Sequence, residues 1–393
     1  MMLKAFKYRL NPNKEQIVLL NKHIGASRFL YNLALETKQI AYAGNKHNLS
    51  CFELHSQLKE LKEECPWLKE LNSQSLQQAI TNLDKAYTTF FKGQNSFPKF
   101  KKKSNGGSFN IPQRVIVENN KLIIPKFTKK NGIDIILHRP IKGEIRQATI
   151  SKIPTGKYFV SILCETGEQN KPKPKIKEET TIGIDLGIKD FVITSNSEVF
   201  DNPKYLRKAQ DKLKYIQSKY SKNKGKKIKQ KLAKLHEKVT NKRKDYLHKV
   251  STKLIRENQT ICLEDLNVSG MIKNHKLAQS ISDVGWSTFV TMSEYKAEWY
   301  GTNILRIGRF EPSSKTCSCC GNINEELTLK DREWTCVRCN TKHDRDINAA
   351  VNIKNFSLRN ILSGTDRKNH DELPTLVGVL THEAQPISTA VGG

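Results

Sequence analysis

No stretch of this chain approaches the roughly 20 consecutive apolar residues that a membrane span requires, and the opening MMLKAFKYRL carries no apolar signal core. These absences predict a cytoplasmic, nucleoid-associated protein with no membrane partner. Negative charge is also scarce. Against 67 Lys and Arg there are only 39 Asp and Glu, a net charge of +28. Such a field attracts polyanions, and for a chain without membrane segments that means nucleic acid. A disulfide framework is excluded by the cysteines outside one short stretch: Cys51, Cys65, Cys164 and Cys262 are scattered and read as small core residues. Also missing are G-x-S-x-G, a P-loop and H-E-x-x-H, so no nucleophilic-serine, nucleotide-cradling or zinc-protease motif competes for the chemistry.

What is present begins with Ser313 to Ile353. There Cys317-x-x-Cys320 is followed after fifteen residues by Cys336-x-x-Cys339, a spacing that brings four thiolates around one structural Zn²⁺. Cys319 lies between two ligands as a spare. The ribbon runs straight into His343-Asp344-Arg345-Asp346-Ile347-Asn348, an acidic helix opening. This segment reads either as part of an active site or as a charged cap on a structural zinc site.

In chain order, Lys4 to Leu10 alternates apolar and basic residues and predicts a strand. Asn11 to Gln16 predicts a helix start, and apolar residues at three and four spacings predict helices from Ile17 to about Phe91. Arg28, Tyr31, Asn32, Gln74 and Gln78 are polar positions there, available to DNA or to water. Phe97 to Lys103 interleaves aromatics with Lys99, Lys101, Lys102 and Lys103, which suits phosphate contact plus stacking. Residues 108 to 165 change to short β-branched runs punctuated by Asn and Gly, a small antiparallel barrel or sandwich completed by the first strand. Lys171 to Lys177 alternates Lys with Pro and predicts an extended linker. A domain boundary is expected near 175.

Beyond it Thr181 to Thr194 reads as strand, glycine turn and returning strand, with Asp185 inside the first. A carboxylate in a strand is costly unless paired or metal-bound. Residues 203 to 258 form two lysine-dense helical stripes around Asn223–Gly225, including Lys226, Lys227, Lys242 and Arg243. Acidic partners are too few to neutralise them, so a polyanion along the surface is expected. Thr260 to Glu264 is another apolar strand ending in acid, Trp286 to Tyr300 a helix, and Asn303 to Ile307 a strand. Asp185, Glu264 and Asp346 thus stand in suggestive contexts far apart. Three hard carboxylates of this kind can hold two Mg²⁺ about 4 Å apart for phosphodiester hydrolysis.

The ordered set GIDLG, CLEDLNVSGM, SSKTCSCCG, TCVRC and HDRDINAA, with KAFKYRLNPNKEQ and GASRFLYN at the start, resembles the RuvC-type nucleases of the OrfB/TnpB family. These are encoded in insertion sequences and are related to type V CRISPR effectors. The resemblance implies an α+β multidomain protein. Its nuclease domain would be RNase H-like (176–310 and 343–358), with an inserted zinc ribbon (311–342). A wedge-like β-barrel (1–10 and 106–175) would be interrupted by a helical recognition domain (11–105), and 359–393 would be a weakly ordered tail. It also implies an Mg²⁺-dependent endodeoxyribonuclease with Asp185, Glu264 and Asp346 as catalytic, metal-holding acids, Asp344 and Asp265 ranking below them. The guide RNA would come from the transposon end and the target would be double-stranded DNA beside a short motif. The protein would act as a monomer with its RNA, gripping the RNA–DNA heteroduplex by shape and backbone charge. CSCC in the first zinc pair departs from the pattern and makes Cys319 a competing ligand. An RNase H-fold transposase, or an RNA-guided repressor without nuclease activity, remains the alternative.

Overall fold

A computed structural model describes residues 1–127, 131–328 and 330–362. The chain divides into a unit of residues 1–168 and a unit beginning at Gln169, six residues before the boundary expected near 175. Among the described residues no helix is long and apolar enough to cross a membrane.

The first unit is built on strand β1 (Leu3–Asn11), whose alternation buries Phe6, Tyr8 and Leu10. It lies between β7 (Tyr158–Glu165) and β5 (Ile133–Ile136), antiparallel to both. With β2 (Gly107–Ile111), β3 (Ile116–Glu118), β4 (Lys121–Ile123) and β6 (Glu144–Lys152) it forms a seven-stranded sheet in the order β2-β6-β7-β1-β5-β4-β3. Phe109 near one end and Leu122 near the other share a single buried cluster with Tyr8, Ile150 and Val160, so the sheet curls around one core. Strands β2 and β6 were not announced by apolar runs, and β6 shows why. Its sequence EIRQATISK is largely polar, and only Ala148, Thr149 and Ile150 are buried.

Helices α1 (Lys14–Asn45), α2 (Cys51–Glu64) and α3 (Ser73–Phe91) fill the helical segment. The start of α1 rests on a reciprocal cap: Asn13 Oδ1 accepts the Gln16 N–H, and Gln16 Oε1 accepts the Asn13 N–H, both at 2.9 Å. Gln16 also donates to the Asn131 and Gly132 carbonyls, tying the helix to the sheet.

The second unit carries a five-stranded mixed sheet in the order β10-β9-β8-β11-β12. Strands β8 (Thr181–Leu186), β9 (Asp190–Thr194) and β10 (Val199–Asp201) form an antiparallel meander. Strands β11 (Thr260–Glu264) and β12 (Asn303–Ile307) add in parallel to β8. The long helices α4 (Tyr205–Lys222) and α5 (Lys226–Glu257) occupy the connection from β10 to β11. After β11 come α6 (Val268–Met271), α7 (His275–Val284) and α8 (Trp286–Tyr300). Leu247, Val250 and Leu254 of α5 with Trp286 and Phe289 of α8 cover one face of the sheet. The other face takes α9 (Arg345–Leu362) through Ile353 and Phe356, which pack on Cys262 and Leu305. Gly183 permits this approach, because a Cβ there would lie 2.0 Å from the Ala350 carbonyl oxygen. Helix α9 runs past the expected end of the nuclease segment at 358. The tail assigned from 359 is therefore helical to Leu362, and the remainder lies outside the described residues.

Candidate active site

Parity on the sheet assembles the acids. Gly183 and Cys262 are paired partners on β8 and β11, and both face α9. Side chains alternate along a strand. Two residues further on, Asp185 and Glu264 therefore return to the α9 face together, at the carboxyl ends of neighbouring parallel strands. Open α/β sheets place their sites at such ends. Helix α9 brings its own acid, because Asp346 stands in its first turn.

The three carboxylates interact. Asp185 is pushed up to about 7, first by burial and then by the negative charges of Glu264 and Asp346, with Arg345 opposing. Glu264 is raised by burial, an effect partly offset by a hydrogen bond from the Ser313 hydroxyl to its Oε1. Both oxygens of Asp346 meet guanidinium groups: Oδ1 accepts from Arg345 at 2.8 and 3.0 Å, and Oδ2 from Arg332 at 2.9 Å. Asp265 also pairs with an arginine, Arg309, at 2.7 Å. Asp344 has a local role. Its Oδ1 accepts the Asp346 and Ile347 N–H groups and caps α9, which fixes where Asp346 begins the helix.

The raised Asp185 sets a pH dependence. Its folded-state value lies above the ordinary carboxylate range, so the folded chain binds that proton more tightly than the unfolded chain does. The stability it contributes is full below about pH 4 and is lost as pH rises to about 7. Thermal melts of metal-free protein across this window should show a falling midpoint, with a shallower fall in Asp185→Asn. An equal slope in the two proteins would count against the assignment.

The cysteine site is made of two matching knuckles. The Cys317 N–H donates to Asn322 O, and the Gly321 N–H to Cys317 O; likewise the Cys336 N–H donates to Thr341 O, and the Asn340 N–H to Cys336 O. Each turn needs a left-handed residue after its second cysteine, supplied by Gly321 (φ 76°) and Asn340 (φ 55°). The four ligand sulfurs, of Cys317, Cys320, Cys336 and Cys339, all lie within 4.8 Å of one another. Among the described residues this is the one group of three or more Cys, His, Asp or Glu ligand atoms that converges so closely. Four converging thiols are the donor set of tetrahedral zinc. The Thr341 hydroxyl, with the Thr341 backbone, brings Cys339 down to about 6, favouring thiolate. Cys319 is exposed and outside the cluster.

Spacing alone did not reveal how the cysteine segment is joined to the acids. Asn348 and Asn352 on α9, both 2% exposed, donate to backbone carbonyls of Ser313, Ser314 and Thr316, and Asn348 accepts the Ser318 N–H. The Arg345 N–H donates to Arg332 O across the pair of short strands β13 (Glu333–Thr335) and β14 (Lys342–Asp344). The signal was the run Ile347-Asn348-Ala349-Ala350-Val351-Asn352, where two asparagines one turn apart sit on an otherwise apolar helix face.

Among the residues expected at nucleic acid, Lys99, Lys102, Lys103, Lys226, Lys227 and Lys242 are exposed. Lys101 lies with its ammonium 3.8 Å from the centre of the Tyr31 ring, and its backbone is held in both directions by Asn32. Tyr31 and Asn32 are thereby engaged within the unit. Arg243 is half-buried. It pairs at 2.9 Å with Asp283, which also accepts the first N–H groups of α4, so this guanidinium braces the helical hairpin.

Comparison with known proteins gives three consecutive family matches. Residues 1–47 match a helix-turn-helix domain, residues 161–275 a family described as "Probable transposase", and residues 286–353 a "Cas12f1-like, TNB domain". A protein of Streptomyces pristinaespiralis named "Putative RNA-guided DNA endonuclease" is 39% identical, the alignment covering 89% of this chain and 88% of that one. The Escherichia coli protein "Putative RNA-guided DNA endonuclease InsQ" is 31% identical over 89% of this chain and 91% of its own. In structure, the chain superposes on a protein solved in a Cas12f1–sgRNA–target DNA complex with a TM-score of 0.53 and 16% identity, covering 87% of this chain and 83% of the other. That likeness extends to the fold.

Proposed function

Since the chain belongs to the OrfB/TnpB family of insertion-sequence-encoded nucleases, we propose that it is an RNA-guided DNA endonuclease that hydrolyses phosphodiesters at Asp185, Glu264 and Asp346. The observation that carries this reading is the elevation of Asp185 at one strand end, by burial and by the charges of Glu264 and Asp346. Three carboxylates from β8, β11 and α9 crowd together at a cost that a hard divalent cation would relieve. Two Mg²⁺ bound there would activate water and stabilise the charge developing on the leaving oxygen. Asp185 and Glu264 would hold the metal from the rigid sheet, and the Ser313 hydroxyl fixes the orientation of Glu264. Asp346 would join them on release from Arg332 and Arg345, whose guanidinium groups then face the substrate phosphates. In the finer architecture, the second unit is an RNase H-like nuclease with a Zn²⁺ ribbon inserted before its last acid. The first unit is a wedge-like barrel with a helical recognition insertion. The protein works in the cytoplasm, as one copy with its guide RNA, on nucleoid DNA.

The test is to express the gene with its native flanking DNA, purify the protein, sequence the RNA that accompanies it, and challenge the complex with matching duplex. One abundant RNA with a constant scaffold and a variable end, together with cleavage directed by that end, is the expected result. Heterogeneous RNA, or none, with strand transfer between DNA ends would favour the transposase reading suggested by the family description.

A further inference from the structure

Phe310 is the most exposed large apolar residue among those described, at 95%. It is nonetheless firmly placed. Gly308 to Glu311 forms a turn closed by the Glu311 N–H on Gly308 O, with Phe310 as its third residue. On one side Arg309 grips Asp265 through both its side-chain carboxylate and its backbone carbonyl. On the other, Ser313 donates to Glu264, and its carbonyl is held by buried Asn352 at 2.7 Å. The ring is thus presented to water from a loop stapled to the two adjacent acids that end β11. A phenyl face kept in water beside the Arg309 guanidinium, next to acids read above as holding Mg²⁺, calls for a partner with both a flat apolar face and negative charge. Nucleotides have both. In a duplex the base faces are already stacked, so only a single strand offers one.

We propose that Phe310 is a stacking platform: it takes the face of one base of the single strand lying across Asp185, Glu264 and Asp346, and so selects which phosphodiester reaches them. Arg309, half-exposed beside it, contacts the adjoining phosphate. This inference rests on the nuclease reading above. Base–aromatic stacking contributes enough per base that Phe310→Ala should raise KM about 5- to 150-fold, and the cut position should scatter over neighbouring nucleotides.

The test uses the full chain with its co-purified RNA, on guided DNA mapped at nucleotide resolution, comparing Phe310→Ala, Phe310→Leu and Phe310→Trp. Trp should preserve KM and cut position, whereas Leu, apolar but without a π-face, should behave as Ala does. An abasic nucleotide at the stacked position should reproduce the alanine effect in the unsubstituted protein and add nothing to it in Phe310→Ala. Unchanged KM and cut pattern in the Ala variant, a Leu variant equal to Phe, or additive abasic and alanine effects would each overturn the platform. If the unsubstituted complex does not cut guided DNA at all, the nuclease reading itself fails. Melting temperature and zinc content, measured in each variant, separate these outcomes from misfolding.

Discussion

Asp185→Ala is expected to lower guided DNA cleavage by at least about a thousandfold while leaving RNA and DNA binding within about twofold. The metal-bound transition state gains several kcal/mol from its cations, and each 1.36 kcal/mol is a factor of ten in rate. The charges of Glu264 and Asp346 both act on Asp185 and raise its proton affinity. Its removal would take away one of the three proposed oxygen ligands. It also relieves repulsion, so the metal-free variant should melt no lower than the parent at neutral pH. Binding draws instead on the excess of Lys and Arg spread over the chain, which this substitution leaves untouched. Paired cleavage and gel-shift titrations decide the matter. A loss of binding as large as the loss of cleavage would mean that Asp185 supports the fold rather than the chemistry.

The second large effect is expected from the cysteine site. Cys336→Ser should reduce bound zinc from about one per chain to about none, and cleavage should be lost with all three acids still present. Structural zinc sites contribute roughly 10–16 kcal/mol to the folding of small domains. Here that energy is transmitted by a short chain of bonds. The knuckle around Cys317 receives Asn348 and Asn352, and the β13–β14 pair receives the Arg345 N–H, so the first turn of α9 is held by the ribbon. Freeing the ribbon therefore frees Asp346. Cys319→Ser should leave metal and activity unchanged, since its side chain lies outside the cluster. Metal analysis beside the cleavage assay checks both variants. Normal cutting by zinc-free Cys336→Ser would show that α9 docks without the ribbon.

These two experiments probe features of different legibility. The zinc ligands were readable because a CxxC knuckle is local: its turn, its left-handed Gly321 or Asn340 and its two sulfurs lie within six residues. The acids were readable as oddities, carboxylates in or beside apolar strands, and family resemblance supplied the joint role proposed for them. The alternation in β1 and the helical stripes of α4 and α5 were equally visible, because periodicity reports which face of a segment is buried. Strand β6 was hidden, since its burial depends on the neighbours β2 and β7 rather than on its own polar residues.

The sequence by itself determined the donors, the periodicities and the charge, because each is written within a few neighbouring residues. Only the tertiary structure decided how they meet. The parallel register of β8 with β11 puts Asp185 and Glu264 on one face, and Gly183 lets α9 come close enough to add Asp346. Ser313 became a support for Glu264, and Arg243 a partner of Asp283 that braces α4. The physical reason is that a hydrogen-bond partner some 50 residues away is chosen by which buried faces pack together, and no local pattern carries that choice.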